Sequence, residues 1–133
     1  MIKVAIIGCG KIAQVRHIPE YLANPDCQIV GLYDVNQSTA DGLARKYQIR
    51  SYENIDQLLN DAIDAVSVCT SNSTHAEMSV KALRAGKHGL CEKPMAVTSE
   101  QCDEMCLAAK ESGKLLMIGQ NQRFTPSHQR AKE

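Results

Sequence analysis

The chain opens with Met1-Ile2-Lys3-Val4-Ala5-Ile6-Ile7-Gly8-Cys9-Gly10-Lys11-Ile12-Ala13, and this stretch decides the fold. Residues 2–7 are a short run rich in β-branched side chains that ends at a glycine, which is typical of a buried strand. The residues that follow fit the pattern G-x-G-x-x-A between a strand and a helix. In that pattern Gly8 allows the tight turn, Gly10 lets a pyrophosphate approach the backbone, and Ala13 lets helix and strand pack closely. The free amide groups at the helix start would then face the phosphates, so the stretch predicts a dinucleotide-binding turn.

Strands and helices alternate along the rest of the sequence. We expect helices over 11–23, 37–47, 55–60, 74–85 and 99–112, with a break or kink of the first helix at Pro19. We expect the further strands over 28–33, 51–52, 64–69, 87–91 and 115–118. Such alternation, with continuously apolar strands, indicates an α/β fold: a Rossmann-type doubly wound parallel sheet with helices on both faces, in a single domain.

Asp34 is the second element of the predicted cofactor site, because it follows directly on the second strand. A carboxylate at this position can accept hydrogen bonds from both hydroxyls of the adenosine ribose. It would also repel a 2′-phosphate, and neither Val35 nor Asn36 offers a positive charge to offset that repulsion. The sequence therefore favours NAD over NADP. The alternative is that Asp34 serves as a turn former or helix cap, a common role for strand-end aspartates.

Composition excludes several other classes of protein. The 15 Lys and Arg residues balance 15 Asp and Glu residues, so no net field favours nucleic acid as a partner. No stretch approaches the roughly 20 apolar residues of a membrane span, and the apolar N-terminus is too short for a signal peptide. The six cysteines include no C-x-x-C pair, which favours reduced, buried thiols over a disulfide or metal site. These observations predict a cytoplasmic protein that binds neither membrane nor metal.

Further motifs resemble one known family. They are Thr70-Ser71-Asn72 followed by His75, the segment Ala85-Gly86-Lys87-His88 that runs into Cys91-Glu92-Lys93-Pro94, and residues 121–124. Together with the glycine turn and Asp34, they resemble the Gfo/Idh/MocA oxidoreductases over the whole chain. One departure is Ser71, which stands where that family usually has a proline.

The resemblance implies roles for individual residues. Lys93 would be the catalytic lysine that assists proton transfer from a substrate hydroxyl, and Glu92 would position Lys93 or the nicotinamide ribose. His75 matches a family histidine, and a packing role is as plausible for it as contact with the cofactor. The cofactor-binding residues would be Gly8, Gly10, Lys11, Ile12, Asp34, Thr70, Ser71, Asn72, His75, Glu92, Lys93 and Asn121.

The resemblance also implies that the chain is one part of an enzyme. Residues 1–122 would form the dinucleotide-binding domain, and residues 123–133 would begin a linking helix to a C-terminal substrate domain. The parent would be a homo-oligomer that transfers a hydride between nicotinamide and a hydroxyl carbon of a sugar, polyol or cyclitol. This chain alone would bind the cofactor but be catalytically incomplete. The alternatives are a stand-alone NAD-binding redox sensor, an S-adenosylmethionine-dependent methyltransferase, which leaves Glu92-Lys93-Pro94 unexplained, and a flavoprotein, for which the chain is short.

Overall fold

A computed structural model describes residues 1–133 without a gap. The strands are β1 (Ile2–Ile7), β2 (Cys27–Tyr33), β3 (Arg50–Ser51), β4 (Ala65–Val68), β5 (His88–Cys91) and β6 (Leu116–Ile118). The α-helices are α1 (Ile18–Ala23), α2 (Gln37–Tyr47), α3 (Ile55–Asn60), α4 (His75–Arg84), α5 (Ser99–Ser112) and α6 (Pro126–Lys132). None of these helices has the length and apolar character needed to cross a lipid bilayer.

All six strands form one parallel sheet in the order β3-β2-β1-β4-β5-β6. From β1 the chain adds β2 and β3 towards one edge of the sheet, and it then returns to the centre and adds β4, β5 and β6 towards the other edge. The carboxyl ends of β1 and β4 therefore form a topological switch point. The predicted Rossmann-type α/β fold is confirmed. The expected strands all occur, and none of their ends differs from expectation by more than one residue.

The core has two layers, one on each face of the sheet. Side chains of the strands alternate between the layers, so that Ile7 packs in one layer and Ile6 in the other. One layer is closed by α3, α4 and α5 through residues such as Leu58, Leu83 and Met105. The other is closed by α1 and α2 through residues such as Ile18 and Leu43. Burial on both faces explains why the strands are almost continuously apolar in sequence.

The first helix differs from expectation. We predicted a break or kink at Pro19, but the chain continues into α1 through the proline, and the irregularity precedes it as a π-helical segment, Ala13–His17. A proline ring clashes with the carbonyl four residues earlier in a regular α-helix. The wider π-helical turn accommodates an extra residue before the proline and leaves Ala13 and His17 both buried.

Polar side chains cap the starts of two helices. The Asn36 side chain accepts a hydrogen bond from the Thr39 amide at the start of α2. Thr98 and Gln101 form a reciprocal capping box at the start of α5. Such caps satisfy amide groups that have no partner within the helix, and each contributes about 1 kcal/mol. They fix where the helices leave the edge of the sheet that carries the candidate site.

Candidate functional site

The glycine turn closes the carboxyl end of β1 against β2 and β4. The Gly8 amide donates to the Tyr33 carbonyl at 2.8 Å, and the Cys69 amide donates to the Ile7 carbonyl at 2.7 Å. Gly8 has a φ of +95°, and a Cβ built on it would lie 2.6 Å from the Cys69 carbonyl carbon. Glycine is therefore required at position 8 by both conformation and space. At Gly10 a Cβ would meet nothing within 4 Å, so this residue faces open space.

Asp34 fastens the glycine turn to the end of β2. Its Oδ2 accepts a hydrogen bond from the Cys9 amide at 2.7 Å, and its Oδ1 accepts one from the Asn36 amide at 2.8 Å. The turn-forming role weighed above is thus present in this structure. Each carboxylate oxygen has a second lone pair, so Asp34 can still accept hydrogen bonds from a ligand.

A cleft of about 470 Å³ opens beside this turn, and we call it the glycine-turn cleft. Five of the predicted cofactor-binding residues line it: Gly8, Gly10, Asp34, Thr70 and Ser71. Tyr33, Cys69 and Met78 complete its apolar wall. The cleft lies at the switch point, which is the place where sheets of this topology bind ligands.

A second cleft, of about 410 Å³, lies on the other side of the first helical turn, and we call it the Glu92 cleft. It contains three more of the predicted residues: Ile12, Glu92 and Asn121. Leu90, Met117 and Phe124 give it an apolar wall. The remaining predicted residues, Lys11, Asn72, His75 and Lys93, line neither cleft.

A hydrogen-bond network that sequence reasoning missed holds the Glu92 side chain. His17 Nε2 lies 2.7 Å from Glu92 Oε1, and His17 Nδ1 lies 2.7 Å from Ser67 Oγ. The Tyr21 hydroxyl donates to Ser67 Oγ at 3.4 Å. Burial raises the pKa of Tyr21 above its ordinary 10.0, so the phenol keeps its proton at neutral pH. One signal was available in the sequence: Ser67 is a polar residue within an apolar strand and needs a buried partner.

His75 lies beneath the site and joins two of its loops. The side chain is 1% exposed. Its Nδ1 lies 2.7 Å from the Pro94 carbonyl oxygen, and its Nε2 lies 3.0 Å from the Thr70 carbonyl oxygen. Both ring nitrogens therefore face backbone carbonyl oxygens of the protein, and the tautomer decides which of the two accepts a hydrogen bond. Of the two roles weighed above, this geometry favours packing, because it connects the Thr70 loop to the loop after β5.

Lys93 is exposed at the carboxyl edge of the sheet, directly after Glu92. Its amide donates to Glu92 Oε2 at 3.2 Å, and its peptide bond to Pro94 is cis. Glu92 is thus held at both oxygens, by His17 on one side and by the Lys93 backbone on the other. Lys11 and Asn72 are also exposed near the clefts, with no side-chain partner that fixes them.

We expect the reactivity of the cysteine thiols to decrease as their burial increases. Burial, with a contribution from the Asp34 charge, raises the pKa of Cys9 from 9.0 to about 12. Burial raises the pKa of Cys69 to about 12 as well. Since the thiolate is the reactive form, iodoacetamide at neutral pH should modify exposed Cys106 and spare Cys9 and Cys69, which mass spectrometry of the native chain can check.

The same shifts predict a loss of stability in alkali. The pKa of the Cys9 and Cys69 thiols is about 12 in the folded chain and 9.0 in the unfolded chain. The stability linked to this difference is therefore complete below pH 9.0 and is lost as the pH rises from 9.0 to about 12. Rapid modification of Cys9 in the folded chain at neutral pH would contradict the burial described here.

The sheet order, the glycine turn at the switch point and the aspartate after β2 define the Rossmann class of dinucleotide-binding domains. A family model described as an oxidoreductase family with an NAD-binding Rossmann fold matches residues 2–120. The chain therefore belongs to the Gfo/Idh/MocA oxidoreductase family, as its motifs predicted.

Individual relatives share sequence and fold with this chain. It is 40% identical over 134 residues to the D-glucoside 3-dehydrogenase of Escherichia coli strain K12, which covers 99% of this chain and 38% of the relative. It is 34% identical over 133 residues to an inositol 2-dehydrogenase of Paracoccus denitrificans, covering 96% of this chain and 39% of the relative. A 3-ketoreductase from Actinomadura kijaniata, solved with NADP and TDP-benzene, superposes with a TM-score of 0.90 at 32% identity, covering 98% of this chain and 40% of that one. The chain spans about two fifths of the length of these relatives.

Proposed function

We propose that this chain binds NAD in preference to NADP and forms the cofactor half of an oxidoreductase. The enzyme would transfer a hydride between nicotinamide and a hydroxyl carbon of a sugar, polyol or cyclitol. The observation that carries the proposal is the pair of clefts that border the first helical turn, one with Asp34 and the other with Glu92. The names of the dehydrogenase relatives, which specify a glucoside and an inositol, support the substrate class.

The residues of the glycine-turn cleft fit a dinucleotide. Open space in front of Gly10 leaves room for a pyrophosphate to approach the backbone. Asp34 stands at the end of β2, where the adenosine ribose binds in this class of fold. With the adenosine on the β2 side of the turn, the nicotinamide half would extend across β4 towards β5. It would then reach Ile12, Glu92 and Asn121 in the Glu92 cleft.

Lys93 would act on the substrate rather than on the cofactor. When bound, the nicotinamide supplies the hydride acceptor or donor. The exposed Lys93 amine follows Glu92 at the sheet edge and would accept the proton of the substrate hydroxyl as the carbinol is oxidised. Asn72, Thr70, Ser71 and Lys11 would contact the diphosphate and riboses, and His75 would act by holding the Thr70 loop. We propose that this chain alone turns over little or no substrate, and that the whole enzyme is a homo-oligomer.

Calorimetric titration of the purified chain with NADH and, separately, with NADPH tests the proposal. We expect saturable binding of NADH and weaker binding of NADPH. A folded chain that binds neither nucleotide would contradict the proposed function. A titration with S-adenosylmethionine would then test the methyltransferase alternative. The chain contains no tryptophan, so heat is a more direct signal than energy-transfer fluorescence.

Replacement of Asp34 should change both cofactor preference and stability. Asp34→Ala removes the acceptor for the Cys9 and Asn36 amides, so we expect the free energy of unfolding to fall by about 1–2 kcal/mol. The preference for NADH should disappear, because the charge that repels a 2′-phosphate is gone. Calorimetry with both nucleotides and chemical denaturation measure the two effects.

Asp34→Asn is the matched control for the charge. The amide oxygen can still accept one backbone hydrogen bond, so this variant should retain more stability than Asp34→Ala while losing the preference for NADH. If Asp34→Asn preferred NADH as strongly as the parent chain, the charge of Asp34 would not be the source of the preference.

A further inference from the structure

The His17 imidazole connects the helical segment after the glycine turn to the carboxylate at the end of β5. His17 is 9% exposed, and its ring nitrogens face Ser67 and Glu92. These partners are distant in sequence, separated from His17 by 50 and 75 residues. The contact therefore depends on the fold, and not on local chain geometry.

One arrangement of hydrogens satisfies every group in this network. The Tyr21 hydroxyl donates to Ser67 Oγ, and the Ser67 hydroxyl donates to His17 Nδ1. The imidazole then carries its hydrogen on Nε2 and donates it to Glu92 Oε1. Hydrogen bonds to a carboxylate are stronger than those between neutral groups.

The network is anchored to the centre of the sheet. Ser67 lies in β4 opposite Ile6 of β1 and Leu90 of β5. Its position is fixed by two neighbouring strands, so His17 cannot shift without losing Ser67. The π-helical segment brings the buried His17 ring to this point.

We propose that His17 is a positioning residue that holds the Glu92 carboxylate at the nicotinamide end of the cofactor site. The inference rests on the proposed function and deepens it. Glu92 also accepts a hydrogen bond from the Lys93 amide, so His17 orients the backbone that carries the proposed catalytic lysine. In this role His17 acts through Glu92 and not on the cofactor or the substrate.

The charge of Glu92 provides a readout specific to this role. A carboxylate held near the nicotinamide attracts the cationic oxidised ring, and a carboxylate that rotates into water attracts it less. ADP-ribose lacks the nicotinamide but keeps both riboses and the diphosphate. A contact between Glu92 and the second ribose would therefore affect both ligands, whereas only NAD⁺ carries the cationic ring. Loss of the His17 contact should therefore weaken NAD⁺ binding more than it weakens ADP-ribose binding.

The experiment compares NAD⁺ and ADP-ribose binding to four chains by calorimetry: parent, His17→Ala, His17→Gln and His88→Ala. For His17→Ala we expect NAD⁺ affinity to fall roughly tenfold relative to ADP-ribose affinity, the size expected for a lost charge-assisted hydrogen bond. Glutamine offers both an N–H donor and an oxygen acceptor, so His17→Gln should recover most of the difference. His88 accepts a hydrogen bond from the Leu115 amide at the opposite end of β5, so His88→Ala should leave the ratio of affinities unchanged.

The possible outcomes separate this inference from the proposed function. Equal losses of NAD⁺ and ADP-ribose affinity in His17→Ala would mean that His17 only supports the fold, and the inference would be wrong. A folded His17→Ala chain that binds both NAD⁺ and ADP-ribose as tightly as the parent chain would overturn the inference as well. A parent chain that binds no dinucleotide would overturn the proposed function first, and the inference with it. A parent that binds NAD⁺ more tightly than ADP-ribose, with that gain lost in His17→Ala, is the expected result.

Discussion

Replacement of Gly8 by alanine is expected to lower the free energy of unfolding by about 3 kcal/mol or more. Two costs add at this position. The φ of +95° is one that residues with a side chain rarely adopt, and the new methyl group would lie 2.6 Å from the Cys69 carbonyl carbon. The atoms it meets belong to the backbone after β4, which is hydrogen-bonded to β1 and cannot move aside as a flexible side chain could.

Gly10→Ala is the matched control, because a Cβ at Gly10 meets nothing within 4 Å. Its stability should stay within about 0.5 kcal/mol of the parent chain. Its affinity for NADH should nevertheless fall at least about tenfold, since the methyl group occupies the space through which a pyrophosphate approaches the backbone. Chemical denaturation followed by far-ultraviolet circular dichroism gives the stabilities, and calorimetry gives the affinities. A Gly8→Ala chain as stable as the parent would show that the turn can rearrange.

Replacement of His75 by alanine is expected to cost roughly 3 kcal/mol of stability. The change leaves a cavity where the buried imidazole packed, and it removes the N–H donor that the ring supplies between the Thr70 and Pro94 carbonyl oxygens. The two loops that His75 connects should become more mobile. Since the Thr70 loop lines the glycine-turn cleft, NADH affinity should fall severalfold although His75 has no free polar atom for the ligand.

His128→Ala provides the control for histidine replacement in general. His128 is exposed on α6 and has one hydrogen bond, of 2.6 Å, to Thr125 Oγ1. Its removal should change stability by no more than about 0.5 kcal/mol. The same denaturation and binding measurements apply to both variants. Retention of full stability by His75→Ala would mean that the loops after β4 and β5 are held by other contacts.

The parts of the site that were predicted from sequence depend on local patterns. The strand, turn and helix around Gly8 and Gly10 follow from adjacent residues, and the strands other than β3 are recognisable from their own apolar residues. Parallel strands place their carboxyl ends at one edge, so the approach of Gly8, Asp34 and Thr70 follows from the fold class. Helix caps such as Asn36 are equally local, because the capping side chain bonds an amide only a few residues away.

The parts that were missed depend on contacts between distant residues. Glu92 was placed at the sheet edge by its motif, but its partner His17 lies 75 residues earlier and carries no local pattern. The π-helical segment was likewise not predicted, since a proline pattern indicates that a helix is disturbed and not how the disturbance is accommodated. For Asp34 a turn-forming role was weighed beside the ligand role, but its distant partner, the Cys9 amide, became visible only when β1 and β2 were paired.

The π-helical segment makes the spacing between the glycine turn and His17 as important as the residue types. A regular α-helix would join the same two ends of this segment with one residue fewer, because a π-helical turn contains one residue more than an α-helical turn. A chain that lacked the extra residue would have to carry its histidine one position nearer the glycine turn to reach Ser67 and Glu92. The number of residues between Gly8 and His17 is therefore a constraint on this arrangement. A protein of this class with a shorter interval needs either a regular α-helix in this segment or another partner for its glutamate.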